Sequence, residues 1–267
     1  MSEDEKSRMR KILDAGSELT GVAAGAGIGF ALGGPAGSMV GSAAAVPVRL
    51  ALQEIAQRML GKREGVRIGA ALEFAGEVYE ERLREGDEVR SDEFFAEEPK
   101  GRSAAQDFAE GVLITAQQQW EERKVRHLGY MLGNIGFEEQ IDGLTAGRAL
   151  SVARELTWRQ YVLLALIGDN ENSPLPDVDP FKPQISSWNT WSTYDELNTL
   201  ITGHNLLKGV TIRTDRLALA SMKWDLPGLR LGSGGELIYA LLALDKISEQ
   251  DRNGVRESLF QGSISQD

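Results

Sequence analysis

The chain has 267 residues and a formal net charge of −11, from 40 Asp and Glu against 29 Lys and Arg. That balance argues against a general DNA or RNA binder, because such proteins draw most of their affinity from neutralising phosphates. No cysteine is present, which excludes disulfides and thiolate chemistry, and the length allows one large or two modest domains.

Lys6, Arg8, Arg10 and Lys11 precede an apolar stretch, as in a secretory signal. Acidic residues at Glu3, Asp4, Glu5, Asp14 and Glu18 break that pattern, and the apolar run is about twice the usual length. The cytoplasm is therefore the expected compartment. The stretch that follows is the most distinctive in the chain. Gly21, Gly25, Gly29, Gly33, Gly37 and Gly41 recur at four-residue spacing, and no charge falls between Glu18 and Arg49. Glycine costs a helix about 1 kcal/mol relative to Ala, so a repeat of it needs a compensating reason. Close approach of one backbone to another is the usual one, as in small-xxx-small packing in bilayers. Gly33-Gly34-Pro35 is a turn signal, so the segment reads as a hairpin of two arms, about Leu19–Gly33 and Pro35–Val46. Each arm spans roughly 20 Å, short of a full crossing. Basic residues on both flanks (Lys6 to Lys11; Arg49, Arg58, Lys62, Arg63) would keep both ends on the cytoplasmic side of a membrane. Three readings stand: a hairpin packed as core of a soluble helical domain, one that enters lipid, or a glycine-rich linker. Gly25-Ala26-Gly27-Ile28-Gly29 is not a dinucleotide loop, because Phe30 and Leu32 occupy the positions of the required third glycine.

From Val48 to Arg84 the pattern is helical, with Leu52, Ile55 and Met59 as one stripe and Leu72, Ala75, Tyr79 and Leu83 as another, separated by Gly61 and Gly65. The acidic stretch Glu85 to Lys100 reads as an exposed loop, pinned to the body by Phe94 and Phe95. Ser103 with Gln106 forms a capping box that opens one long helix, Ser103 to Asn134. Its expected buried stripe is Phe108, Val112, Ala116, Trp120, Leu128, Met131 and Ile135, with Glu121-Glu122-Arg123-Lys124 as a solvated face. A further helix is expected near Glu138–Leu156, and Thr157 with Gln160 caps Thr157–Ile167.

The proline-rich stretch Asn170–Pro183 is a loop. Ser192–Leu207 is a helix opened by overlapping caps (Ser192/Asp195, Thr193/Glu196), with Leu197, Leu200 and Ile201 inward. Val210–Arg213 and Leu229–Leu231 are short strands; Ser233 with Glu236 caps Glu236–Leu244, and Ser248 opens the terminal helix. The order is loosely winged-helix-like, but no Arg/Lys row lies on Ser192–Leu207. A protein-interaction or dimerisation role fits that module better than DNA reading.

No enzyme signature emerges. His127 and His204 are the only histidines, and neither has a second one at i+4, so no HExxH zinc site exists. Ser233 lacks nucleophile-elbow spacing, and Gly61-Lys62 lacks the first glycine of a phosphate loop. Glu138, Glu139 and Asp142 read as surface charge, and Trp188 and Trp191 as core or loop anchors rather than a stacking platform. No cofactor or metal ligand set is expected.

Gly101-Arg102-Ser103, Glu121-Glu122-Arg123-Lys124, Leu156-Thr157-Trp158-Arg159-Gln160 and Leu237-Ile238-Tyr239 are the pieces by which the chain resembles a loose group of uncharacterised bacterial proteins. These join a Gly/Ala-rich N-terminus to a helical body, and the layout also resembles membrane effectors of bacterial defence systems. The expectation is a mainly α protein: a glycine-zipper hairpin (1–48), a helical body (49–156) and a C-terminal winged-helix-like interaction module (157–267). It is expected to be non-enzymatic and homo-oligomeric, meeting membrane lipid or other copies through its six spaced glycines and a protein partner through its C-terminal module.

Overall fold

The computed structural model describes residues 62–96, 101, 103–175, 188–209 and 226–260. The glycine segment, the stripe Leu52, Ile55 and Met59, and the strand expected at 210–213 lie outside them. The described residues are mainly helical, with eight α-helices and one two-stranded antiparallel sheet near the C-terminus. The chain divides into two compact units, Met1–Glu155 and Leu156–Asp267.

The first unit holds α1 (Lys62–Glu85), α2 (Ala104–Gln118), α3 (Glu122–Asn134) and α4 (Gly143–Glu155). Pairwise contacts fix their directions. Arg63 meets Glu122, Gly129 meets Ala71, Gly133 meets Ala75 and Arg82 meets Glu138, so α1 and α3 run parallel. Gly143 lies against Ala104 and Gly111 against Leu150, so α2 and α4 run parallel. Lys124 at the start of α3 reaches the Arg154 carbonyl at the end of α4, so the two pairs are antiparallel. The result is an up-down-up-down bundle. At its lower end α1 begins, the α2–α3 connection turns, and α4 stops. Its core takes Ile68, Leu72, Phe74 and Val78 from α1, Phe108, Val112 and Leu113 from α2, Leu128 and Met131 from α3, and Val152 from α4, all buried.

The single helix expected over 103–134 is two helices. The chain leaves the helical region at Gln119 (φ −71°, ψ 123°) and re-enters after Glu121 (φ −85°, ψ 86°), with the Gln119 side chain accepting from the Glu121 amide. No Gly or Pro marks the break. A rod of that length would be about 48 Å long and could not fold its two apolar halves against α1 together; the break lets them do so. Trp120, expected in the buried stripe, consequently stands in the connection and is 79% exposed. Lys124, expected on a solvated face, is buried. Gly65 lies inside α1 rather than separating two helices.

The Ser103/Gln106 and Thr157/Gln160 capping boxes both form, with the hydroxyl and the glutamine carbonyl each accepting a backbone amide. The second box opens α5 (Trp158–Gly168), the centre of the second unit, in which Tyr161 to Ile167 are all buried. Around it stand α6 (Trp188–Asn198), α7 (Ser233–Leu241) and α8 (Glu249–Phe260). Gly168 has no Cβ because the Tyr239 ring of α7 occupies that space. On α6, Thr193 shares a hydrogen bond with Ser258 (2.8 Å), and the Tyr194 hydroxyl donates to the Leu259 carbonyl (3.1 Å).

The overlapping caps expected to open a helix at Ser192 lie instead inside α6, which starts at Trp188 and ends in a π-turn over Thr199–Gly203. Thr193 donates back to the Asn189 carbonyl, the bond a mid-helix threonine makes when it is not a cap. The sheet pairs β1 (Leu207–Lys208) with β2 (Arg230–Leu231), Leu207 opposite Leu231. Gly232, not Ser233, stands at the N-cap of α7, and no side chain caps it; Glu236 instead pairs with Lys208 at 3.0 Å. Ser248 does open α8, accepting from the Asp251 amide.

Candidate helix-packing site

The six glycines singled out in the sequence lie outside the described residues. The same four-residue spacing recurs, however, where the structure is described. Gly129 and Gly133 of α3 face Ala71 and Ala75 of α1, so each helix contributes small residues at i and i+4 to one crossing. A Cβ on Gly133 would stand 2.6 Å from the Ala75 carbonyl oxygen, and one on Gly129 would meet the Ala71 carbonyl oxygen and the Phe74 Cβ at 2.8 Å. Such distances are closer than atoms tolerate; Val78 also crowds Gly133, but at both glycines the obstacle includes a backbone carbonyl of α1, which cannot rotate away as a side chain can. Glycine is present because the two backbones touch. The glycine spacing at 129 and 133 was visible in the sequence; what was hidden was its alanine counterpart 58 residues upstream.

Charges fix this crossing at both ends. At the lower end Arg63 pairs with Glu122 at 3.1 Å, and Arg67 donates to the Gln117 carbonyl (3.2 Å). At the upper end Arg82 bridges Asp87 (2.5 Å) and Glu138 (3.0 Å), its guanidinium 4.9 Å from the Phe137 ring centroid. Along the flank Arg126 lies over Phe74 at 4.9 Å.

Arg90 is the strongest pin. Its buried guanidinium donates to the carbonyls of Ile135 (3.2 Å) and Ile141 (2.8 Å), grips Asp92 through two nitrogens, and lies 3.9 Å from the Phe94 ring centroid. Hydrogen bonds from Arg90 hold the Asp92 carboxyl below the usual carboxylate range. The stretch expected to be an exposed loop is therefore anchored through its centre. Phe94 is buried and packs against Phe108, as expected of a pinning residue.

Lys124 closes the lower end of α4. Its ammonium donates to the Arg154 carbonyl (3.2 Å), one of the last-turn carbonyls that lack a partner within their own helix. Burial lowers its pKa from 10.5 to about 8, with Glu121 acting in the opposite sense. His127, one turn on, is buried edge-on to Tyr130 at 5.6 Å; His204 stands at the end of the π-turn in the second unit.

The acidic cluster Glu138, Glu139 and Asp142 is consumed by structure. Glu138 pairs with Arg82, Glu139 accepts from the Ser91 amide and hydroxyl, and Asp142 accepts from the Thr145 amide at 2.7 Å. The Thr145 bonds hold the Asp142 carboxyl below its ordinary range. Trp188 and Trp191, expected to anchor core or loop, form an edge-to-face pair at 6.0 Å and are 84% and 52% exposed.

Among the described residues no group of three or more His, Asp or Glu is arranged to hold a metal ion, and no helix is long and apolar enough to cross a membrane. No family model matches the chain, and no curated protein or solved structure matches it.

Proposed function

We propose that this chain is a non-enzymatic, self-associating helical protein whose segment 19–48 engages the cytoplasmic face of a membrane, or other copies of itself, through Gly21, Gly25, Gly29, Gly33, Gly37 and Gly41. The observation that carries the reading is six glycines at strict four-residue spacing in a charge-free run flanked by basic residues. The α1–α3 crossing supports it by analogy, since Gly129 and Gly133 use that spacing for backbone contact within this chain. In the proposed sequence of events the body masks the glycine face, a signal or a protein partner at the C-terminal module loosens it, and freed hairpins pack together in lipid. That is the behaviour of a gated membrane-perturbing effector, in keeping with the likeness to bacterial defence proteins.

The test is dye release from vesicles of phosphatidylglycerol and phosphatidylethanolamine. Full-length protein should release dye under the condition that loosens the body, and Gly25→Leu, Gly29→Leu and Gly33→Leu together should abolish release; unchanged release refutes the mechanism. A second reading has its own support. Gly129 and Gly133 make their close contact inside a folded helical unit, so the spaced glycines of 19–48 would serve equally as core of a soluble scaffold. Under that reading, deletion of residues 1–48 unfolds the body.

A further inference from the structure

Trp188 and Trp191 stand on the outer face of α6, their rings at 84° to one another with centroids 6.0 Å apart. A single exposed aromatic needs no explanation, whereas two large indoles left in water on one helix face mark a surface that meets something. Asp195 is exposed on the same face, four residues beyond Trp191 and seven beyond Trp188. Side chains of a helix lean toward its N-terminus, so Asp195 leans over the turn that carries Trp191. The other acid of the helix, Glu196, is taken by Arg159 at 2.8 Å and by the Thr157 hydroxyl. Among the described residues the Asp195 carboxylate has no such partner.

The first unit shows what this chain sets between an aromatic face and a carboxylate. The Arg90 guanidinium lies 3.9 Å from the Phe94 ring centroid while Asp92 accepts from two of its nitrogens. Arg82 repeats the arrangement, 4.9 Å from the Phe137 centroid and bonded to Asp87 and Glu138. The flat cation stacks on the ring, and its fork of donors matches the carboxylate oxygens. On α6 the ring faces and the carboxylate are present, and no arginine among the described residues fills the place of the third member. A guanidinium set against both indoles lies within about 6 Å of each centroid, the range over which the ring quadrupole attracts a cation. The net charge of −11 favours the approach of a basic partner.

We infer that Trp188, Trp191 and Asp195 form a docking site for an arginine-bearing segment of a partner protein, with the guanidinium stacked on the indoles and bonded to the carboxylate. This gives a chemistry to the partner that the proposed function assigns to the C-terminal module, and it rests on that reading only to this extent. The binding test below contains neither membrane nor glycine variant, so its failure is distinct from failure of the membrane reading.

The test takes full-length protein and a dye-labelled tetra-arginine peptide, with binding read by fluorescence anisotropy at about 0.15 M salt. A tetra-lysine peptide of equal charge should bind at least about threefold more weakly, because an ammonium neither stacks nor bonds through a fork. Trp188→Ala together with Trp191→Ala should weaken tetra-arginine binding by at least about fivefold, and Asp195→Asn by at least about threefold. Glu73→Gln removes one exposed charge from α1 and should leave binding as it was. Helix content should be unchanged in every variant, since each replaced side chain faces water. Equal binding of the two peptides, indifference to the tryptophan substitutions, or a loss with Glu73→Gln as large as with Asp195→Asn would each overturn the inference. So would tryptophan variants that lose binding to phosphatidylcholine vesicles while their peptide binding stays native, which would assign the indoles to a lipid surface instead.

Discussion

Replacing one glycine by alanine in two helices of the first unit should change stability in opposite directions. At Gly147, on the exposed side of α4, a Cβ would meet nothing within 4 Å. Gly147→Ala should therefore stabilise by about 0.5–1 kcal/mol, the helix-propensity gain alone. At Gly129 the same gain is available, but the new methyl meets the Ala71 carbonyl and the Phe74 Cβ at 2.8 Å. Relief requires α1 and α3 to move apart, and overpacking of this kind costs about 1–3 kcal/mol. With the propensity gain subtracted, Gly129→Ala should destabilise by about 1–2 kcal/mol, so the two variants separate by about 1.5–3 kcal/mol. Thermal unfolding followed by far-UV circular dichroism reads this as transition midpoints on either side of the native one, each kcal/mol moving them about 2–4 °C. The close-contact account fails if Gly129→Ala is neutral or stabilising alongside Gly147→Ala.

Three further outcomes follow from individual side chains. Because the folded pKa of Lys124 lies at about 8 against 10.5, the unfolded chain binds more protons between those values, and its burial penalty fades as pH rises. From pH 7.5 to 9.5 native protein should therefore gain about 2 kcal/mol relative to Lys124→Met, measured as the difference between their urea midpoints; parallel midpoints across that range would refute the assignment. Arg90→Ala strands the Ile135 and Ile141 carbonyls, and about 3–4 kcal/mol should be lost. Arg90→Lys should recover less than half of it, since one ammonium cannot reach both carbonyls and Asp92 together; full recovery would show that charge alone matters there. Buried Asn170 donates to the carbonyls of Leu226 (2.9 Å), Pro227 (3.2 Å) and Leu229 (2.9 Å) and accepts from the Leu175 amide at 2.6 Å. Asn170→Ala should accelerate hydrogen exchange at Leu175 and destabilise the second unit by about 2–3 kcal/mol; unchanged exchange would contradict a role for that side chain in holding the two segments together.

What the sequence revealed and what it hid divide along the range of the interactions involved. The Ser103 and Thr157 capping boxes and the Ser248 cap are local devices, four residues long, and all three were legible. So was the mainly helical class, because it rests on periodicity. The failures are long-range. A helix break at Gln119–Glu121 has no local signal; it exists because α3 gains more by packing Gly129 and Gly133 on α1 than by prolonging α2. That one event also explains why Trp120 is exposed and Lys124 buried, against their position in a single amphipathic stripe. The serine and threonine caps expected at 192 and 193 failed differently: Thr193 lies where α6 meets α8, and a partner at Ser258 sets its environment. Arg90 was hidden because an arginine in an acidic loop reads as surface until its carbonyl acceptors, about fifty residues later, are known. As for the glycine spacing, its meaning at 129 and 133 came only with the facing helix, and the segment 19–48 poses the same question of what lies opposite.

That question is answered most directly by fractionating cells that express full-length chain or chain lacking residues 1–48, with the size of each species measured in parallel. The account predicts full-length protein in the membrane fraction or as an oligomer, and the shortened chain as a folded, soluble species of lower order. A full-length monomer free of membrane, whose shortened form unfolds, would contradict it.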